Sequence, residues 1–363
     1  MPFLSLRCAN FRNLEDAEIP VEAERVFLVG ENGQGKTNFL EALYYLSYGS
    51  SFRGLVDQAV PRRGESGFAL EARTRAEGES ADFPPEELKV SWSGKTKDIR
   101  RGGKPLRDRK ELVELNPAVV FCHEDFSFAA GEPERRRFFF DQTASLCSAA
   151  YIDSLRDYKR ILKQRNAALK EGRASLLDFL DEQLTGRGLE LMASRSRLAA
   201  EFDGRFAELY ERVSLLGAEV RLRYRPSWPA EAEAGAILEK LAAKRGDELA
   251  LGTSLSGPHR DRWLFQTEGR DFAATASTGQ QRLLSLALRV AQADYFTAAT
   301  GRRPVLLLDD VLLELDPGKR KRFLEALPPA AQAFFTFLPG EPWEDYRVPG
   351  TIVYRVEHGR LAL

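Results

Sequence analysis

Gly30-Glu31-Asn32-Gly33-Gln34-Gly35-Lys36-Thr37 fits the pattern G-x-x-x-x-G-K-[ST] without a mismatch. A loop of this kind wraps phosphate in backbone N–H groups, and the N-terminus of the following helix adds partial positive charge. In that pattern Lys36 reaches the β- and γ-phosphates and Thr37 ligates Mg²⁺. A chance loop is the competing reading. The context weighs against it, because "RVFLVG" reads as a short buried strand on one side. On the other, Phe39, Leu40, Leu43, Tyr44 and Leu46 fall at helical spacing.

Two further stretches bear on the same chemistry. "VLLLDD" is an apolar strand ending in Asp309 and Asp310. Asp309 can hold Mg²⁺ through water, and Asp310 can polarise the attacking water as a general base. Many buried strands end in Asp, so the motif gains meaning only from the phosphate loop in the same chain. Ser277-Thr278-Gly279-Gln280-Gln281 opens a strongly periodic helix just upstream of that strand. Ser277 can be a simple N-cap. It can also begin a signature motif of the ABC type, in which Ser277, Gly279 and Gln280 of one subunit meet the γ-phosphate held by another. The order of phosphate loop, signature and carboxylate strand favours the second reading.

The elements around these motifs set the fold class. "FLSLRCANFRNLEDAEIPV" reads as strand, turn, strand, and Phe68 to Leu106 alternates as an antiparallel sheet. "PAVVFCHED" is another buried strand. Gly131-Glu132-Pro133 marks a helix start, and helical patterns run to about Leu215, with Gly172, Gly186 and Gly188 as breakers. "RLRYRPSWPAEAEAG" is a linker or strand, and α/β character returns after it. The expected fold is therefore α/β, an ABC-type ATPase head of mixed sheets with a phosphate loop and an inserted, mainly helical lobe. Residues 1–130 and 251–363 form the head in this reading, and 131–250 the lobe.

With 363 residues, 43% hydrophobic and 29% charged, the chain has the composition of a globular protein of about two domains. No apolar run approaches the ~20 residues of a membrane span, so no membrane role is expected. The N-terminal segment lacks the pattern of a signal peptide. Cys8, Cys122 and Cys147 show no metal-ligand spacing, which suits reduced thiols in the cytoplasm. The net charge of −1 does not advertise nucleic-acid binding. Two local basic runs, Lys95 to Lys110 and Arg156 to Arg173, can contact DNA or serve as solvated faces.

With no membrane span and a helical insertion, the chain points away from transporters and toward the SMC-like heads that act on DNA, an analogy of fold. The chain then resembles the RecF family. "GENGQGKTNFLEALYYLSYGSSFRG" (Gly30 to Gly54), "NFRN" (Asn10 to Asn13) and "FCHEDFSFAAGEPERRRFFFD" (Phe121 to Asp141) match its pattern in order. So do "TSLSGPHRDR" (Thr253 to Arg262), "STGQQRLLSLALRVAQADYF" and "LLLDDVLLELD". His123 stands where the family usually has proline, Arg262 where a second Asp is usual, and Leu313 where a serine precedes Glu314-Leu315-Asp316.

The resemblance implies an ATP-dependent homodimer that binds gapped or junction double-stranded DNA and hydrolyses ATP slowly, stimulated by DNA. Its partners would be RecO and RecR, and indirectly RecA, in DNA-damage repair, the SOS response and replication restart. It gives Lys36 and Thr37 to phosphate and Mg²⁺, Asp309 to Mg²⁺, Asp310 to water, and Ser277, Gly279 and Gln280 to contacts across the dimer. Gly30, Asn32, Gly33, Gly35 and Asn38 would line the nucleotide, with Arg12 and Asn13 nearby. Glu124 or Asp125, in the place of a Q-loop, would sense Mg²⁺ or water, or else cap a strand. Thr336 is a γ-phosphate sensor or a buried strand threonine. His259 and Arg260 brace the lobe or touch nucleotide. Arg135 to Arg137 meet DNA, meet the partner head or form a salt-bridged helix start. A metabolic P-loop kinase, another SMC-like ATPase and a transporter motor without its membrane partner remain as alternatives.

Overall fold

The computed structural model describes residues 2–76, 78–80, 82–313 and 315–363. Glu314, in the loop singled out above, lies outside them. The chain divides into two compact units, Met1–Asp125 with Gln292–Leu363, and Phe126–Ala291. These divisions differ from the expected 130/131 and 250/251. The second differs because the strand Arg262–Thr267 pairs antiparallel with Arg221–Arg225. That pairing keeps the stretch after residue 251 within the second unit.

The first unit holds two sheets. One runs in the order Arg360–Ala362, Ile352–Glu357, Arg25–Val29, Gln332–Phe337, Val305–Leu308, Ala118–Phe121. All its neighbours are parallel except the edge strand Arg360–Ala362. Parallel strands covered on both faces need continuous apolar sequence. "VLLL" and "AVVF" supply it and are buried throughout. The other sheet is antiparallel, in the order Glu18–Pro20, Phe3–Ala9, Phe68–Thr74, Glu86–Trp92, Lys97–Arg101, Lys104–Pro105.

The helix Lys36–Tyr48 shares one core with both sheets. It is buried nearly all round, by an apolar set that includes Phe39, Leu40, Leu43, Tyr45 and Leu46 and by the buried polar residues Lys36, Glu41 and Ser47. Tyr45 meets Phe68 of the antiparallel sheet edge-on at 5.1 Å, and Phe39 meets Phe334 of the parallel sheet at 6.4 Å. This burial anchors the helix whose N-terminus faces the phosphate loop. Gly49, in the left-handed region at φ 63, ends it.

The second unit contains the helices Pro133–Cys147, Ala149–Lys170, Leu177–Ser214 and Ala234–Leu251, and a three-stranded sheet. Pro133 is the first helical residue of its helix, as its sequence signals. Gly172 follows a helix end, but Gly186 and Gly188 lie inside the 38-residue helix Leu177–Ser214 and do not break it. Two buried arginines brace the interior. Arg165 meets Asp181 at 2.5 Å, Glu248 at 2.7 Å and Ser254 at 2.8 Å. Arg195 meets Asp141 at 2.8 Å and Asp261 at 2.7 Å. A buried charge is tolerated when its donors are matched in this way.

Candidate functional site

The parallel sheet brings three strand ends together, each ending in a polar loop. Arg25–Val29 runs into the glycine loop, Val305–Leu308 into Asp309 and Asp310, and Gln332–Phe337 carries Thr336. Strand carboxyl ends of open α/β sheets are where ligands bind. Gly33 and Gly35 adopt φ of 78° and 120°, values a side chain would resist.

Lys36 is buried, and its ammonium donates to the carbonyls of Gly30 at 2.6 Å and Glu31 at 3.2 Å. These bonds hold the cation against the loop. The Thr37 hydroxyl donates to Asp309 Oδ1 at 2.9 Å. The Asp310 N–H donates to Thr336 Oγ1 at 2.7 Å, and the hydroxyl lies 2.7 Å from Asp310 Oδ1 and 3.4 Å from Asp309 Oδ1. Thr336 therefore bridges both acids. Burial, and then the neighbouring Asp310 carboxylate, push the Asp309 carboxyl up to about 7, against the lowering bond from Thr37. Excess buried negative charge beside a hydroxyl is a set of hard oxygen donors suited to Mg²⁺ completed by phosphate and water. Among the described residues no group of three His, Cys, Asp or Glu forms a self-contained metal cage.

Asn13 flanks the loop. Its amide donates to the Gly33 carbonyl at 3.3 Å, and its Oδ1 accepts from Asn38 at 2.7 Å. Arg12 faces elsewhere: its guanidinium forks onto the fully buried Glu41 at 2.7 and 3.0 Å. Glu41 also accepts from Ser51 at 2.6 Å and lies 3.7 Å from Arg53. Asp125 closes the turn after Ala118–Phe121, accepting from the Cys122 N–H at 3.0 Å, which is the strand-capping arrangement. Glu124 and His123 are exposed, and so are Asn32 and Leu313.

Ser277, Gly279 and Gln280 belong to the second unit. Gln280 N–H donates to Ser277 Oγ at 3.3 Å and Ser277 N–H to Gln280 Oε1 at 2.8 Å. This reciprocal pair is a capping box at the start of the helix Thr278–Thr300. His259 meets the Tyr158 hydroxyl at 2.7 Å and the Ser254 carbonyl at 3.2 Å, and burial pushes its pKa down to about 4. Arg260 donates to the same carbonyl at 3.2 Å. Arg136 and Arg137 donate to the backbone carbonyls of Trp263 and Asp261, so they tie their helix to the strand Arg262–Thr267 and the residue before it. Arg135 is exposed.

The C-terminal hairpin braces the loop, and no local motif signals it. Gln34 accepts from Gly359 N–H at 2.8 Å through its carbonyl and from His358 N–H at 2.6 Å through Oε1. A Cβ on Gly359, at φ 84, would sit 1.8 Å from the Asn13 carbonyl oxygen, so only glycine fits. The pair His358-Gly359 could signal the turn between the strands Ile352–Glu357 and Arg360–Ala362, but not its target. Glu41 is not signalled either, because a glutamate in a helical pattern reads as a solvent face.

A family model described as "RecF/RecN/SMC N terminal domain" matches residues 3–338. The DNA replication and repair protein RecF of Treponema pallidum is 43% identical over 354 residues, covering 96% of this chain and 98% of that protein. The protein of the same name from Anaeromyxobacter sp. is 35% identical over 379 residues, covering 100% and 99%. Among solved structures, the recombination mediator protein RecF-ATP of the RecFOR pathway superposes with a TM-score of 0.88 at 26% identity, covering 99% of this chain and 96% of that one. An Smc head bound to the C-winged helix domain of ScpA superposes at 0.59 with 14% identity, covering 99% and 97%, a likeness of fold alone. The fold is the α/β ATPase head of the ABC type that the sequence led us to expect.

Proposed function

The chain belongs to the RecF family of DNA repair proteins, and we propose that it is an ATP-gated DNA clamp of recombinational repair. ATP binds the Gly30–Thr37 loop and joins two copies of the chain on gapped or junction DNA. Slow hydrolysis, stimulated by DNA, releases them. With RecO and RecR, the clamp helps RecA load. The likeness to a RecF structure with ATP supports the choice of nucleotide.

The observation that carries this reading is the bond from Thr37 to Asp309. It joins the phosphate loop to the carboxylate strand, the two halves of a nucleotide hydrolase site. Lys36 exchanges its carbonyl partners for the β- and γ-phosphates. Thr37 and Asp309 would hold Mg²⁺, which when bound neutralises phosphate charge. Asp310, oriented by Thr336, accepts the proton of the attacking water as that oxygen bonds to the γ-phosphorus and the bond to the β-phosphate oxygen breaks. Ser277, Gly279 and Gln280 meet the γ-phosphate held by the other copy. ATP then stabilises the dimer because it contacts both heads only when they are joined. DNA is recognised by backbone and shape.

Fluorescence anisotropy on a gapped duplex, with ATP-Mg²⁺ against ADP-Mg²⁺ at fixed salt, tests the proposal. Much tighter binding with ATP, lost in Lys36→Ala, is the expected result. Equal affinity in the two nucleotide states overturns the gate.

A further inference from the structure

The small sheet of the second unit carries an arrangement that its own stability does not explain. Arg221, Arg223 and Arg225 alternate along one strand, and Leu222 between them is buried. They share the outer face of the sheet. Arg225 stands directly opposite Arg262 on the neighbouring strand, while Arg223 pairs with Leu264 and Arg221 with Gln266. Like charges directly opposite each other in an antiparallel pair repel and destabilise the sheet.

The available carboxylates do not neutralise this face. Asp203 takes Arg221 at 2.5 Å and reaches Arg223 only at 3.5 Å, and Glu219 takes Arg221 again at 2.8 Å. Arg225 and Arg262 are both exposed and form no ion pair among the described residues. Asp261, next in the chain, is turned inward and bound to Arg195. The face thus presents two unpaired guanidinium forks and a third that is 52% exposed and weakly held.

We propose that the arginine face formed by Arg223, Arg225 and Arg262 binds the phosphate backbone of DNA. Guanidinium forks match phosphate oxygens bidentately and are weakly hydrated, so they suit this ligand. Bound phosphate would also cancel the repulsion across the strand pair. Contacts to phosphate oxygens carry no base information, so this contact is blind to base sequence. The inference rests on the DNA-clamp reading and names one surface for it.

The test compares the full chain with Arg225→Gln/Arg262→Gln and Arg225→Lys/Arg262→Lys. Binding to a labelled duplex is followed by anisotropy across a salt series in ATP-Mg²⁺, and nucleotide binding and thermal unfolding check the fold. The Gln pair is expected to weaken binding equally on unrelated duplex sequences and to lower the slope of log K against log salt by about 2 for each copy of the chain on the duplex. It should melt no earlier than the parent, since a repulsion is removed. The Lys pair should keep most of the slope. An unchanged slope in the Gln pair, with the parent binding DNA, sinks this surface and leaves the clamp standing, and points the arginines toward an acidic protein partner. Absence of DNA binding by the parent itself sinks the clamp reading and this inference together.

Discussion

The hydroxyl of Thr37 donates to Asp309 Oδ1 at 2.9 Å across 272 residues of chain. The bond ties the first turn of the phosphate-loop helix to the end of a strand two positions away in the sheet. It also presents a hydroxyl and a carboxylate to one point, with a second carboxylate, Asp310, next to them.

Asp309 supplies a pH-dependent prediction. Burial and Asp310 raise its carboxyl from 3.8 to about 7. An acid with a raised pKa binds its proton more tightly in the folded state than in the unfolded one. Its contribution therefore favours folding at low pH and is lost as pH rises from about 4 to about 7. Asp309→Asn keeps an acceptor for Thr37 and removes the ionisation. In the absence of nucleotide and Mg²⁺, the variant should be more stable than the parent at pH 8, by at most roughly 4 kcal/mol. The gap should close toward pH 4. Denaturant melts at several pH values check this, and a gap independent of pH would mean that Asp309 ionises normally. Nucleotide binding that depends on Mg²⁺ should fall in the same variant.

Asp310 adopts φ 51, in the left-handed region. Asparagine tolerates that conformation, so Asp310→Asn removes the proposed base without straining the turn. The N–H bond to Thr336 at 2.7 Å is retained. Single-turnover phosphate release should slow by about 10²- to 10⁴-fold, the range general bases contribute, while ATP binding persists and the dimer lives longer. Unchanged turnover would move the base to another residue.

The motifs were legible because their chemistry is contiguous. A phosphate loop, an Asp pair after an apolar run and a Ser-x-x-Gln helix start each lie within a few residues, and strand and helix periods flank them. What was not legible depends on residues far apart. The partner of Arg12 is Glu41, inside a helix that both sheets bury. The loop is braced by Gly359, near the other end of the chain. The stretch after residue 251 joins the second unit through a strand pairing with Arg221–Arg225, which no local pattern encodes. Arg136 and Arg137 read as a charge cluster, yet their targets are backbone carbonyls.

Gly188 shows the same limit and yields a stability prediction. Local propensity treats it as a helix breaker, and Gly→Ala inside a helix should stabilise by about 1 kcal/mol. Here a Cβ would approach the buried ring of Trp228 to 2.3 Å. Overpacking of this kind costs about 1 to 3 kcal/mol, enough to outweigh the propensity gain. Gly188→Ala should therefore lower the unfolding midpoint. Gly186→Ala, where nothing lies within 4 Å, should leave it unchanged or raise it. Parallel urea titrations decide, and equal gains in both variants would contradict the close approach.

Ser277 carries two roles that can be separated. As the first member of a capping box with Gln280 it holds the helix start, and Ser277→Ala should cost about 1 kcal/mol of stability, a local loss. As a contact across a dimer it would also have to leave room for the γ-phosphate on the opposing head. Ser277→Arg removes the cap equally and adds bulk and charge at that point. If the residue is only a cap, the two variants should match each other in every property. If it meets nucleotide in trans, light scattering in ATP-Mg²⁺ should find the Ala variant still able to dimerise and the Arg variant monomeric. The affinity of the monomer for a fluorescent nucleotide should stay near the parent value in both. Loss of nucleotide affinity in step with dimerisation would place Ser277 at the nucleotide of its own chain and remove the basis for a shared site.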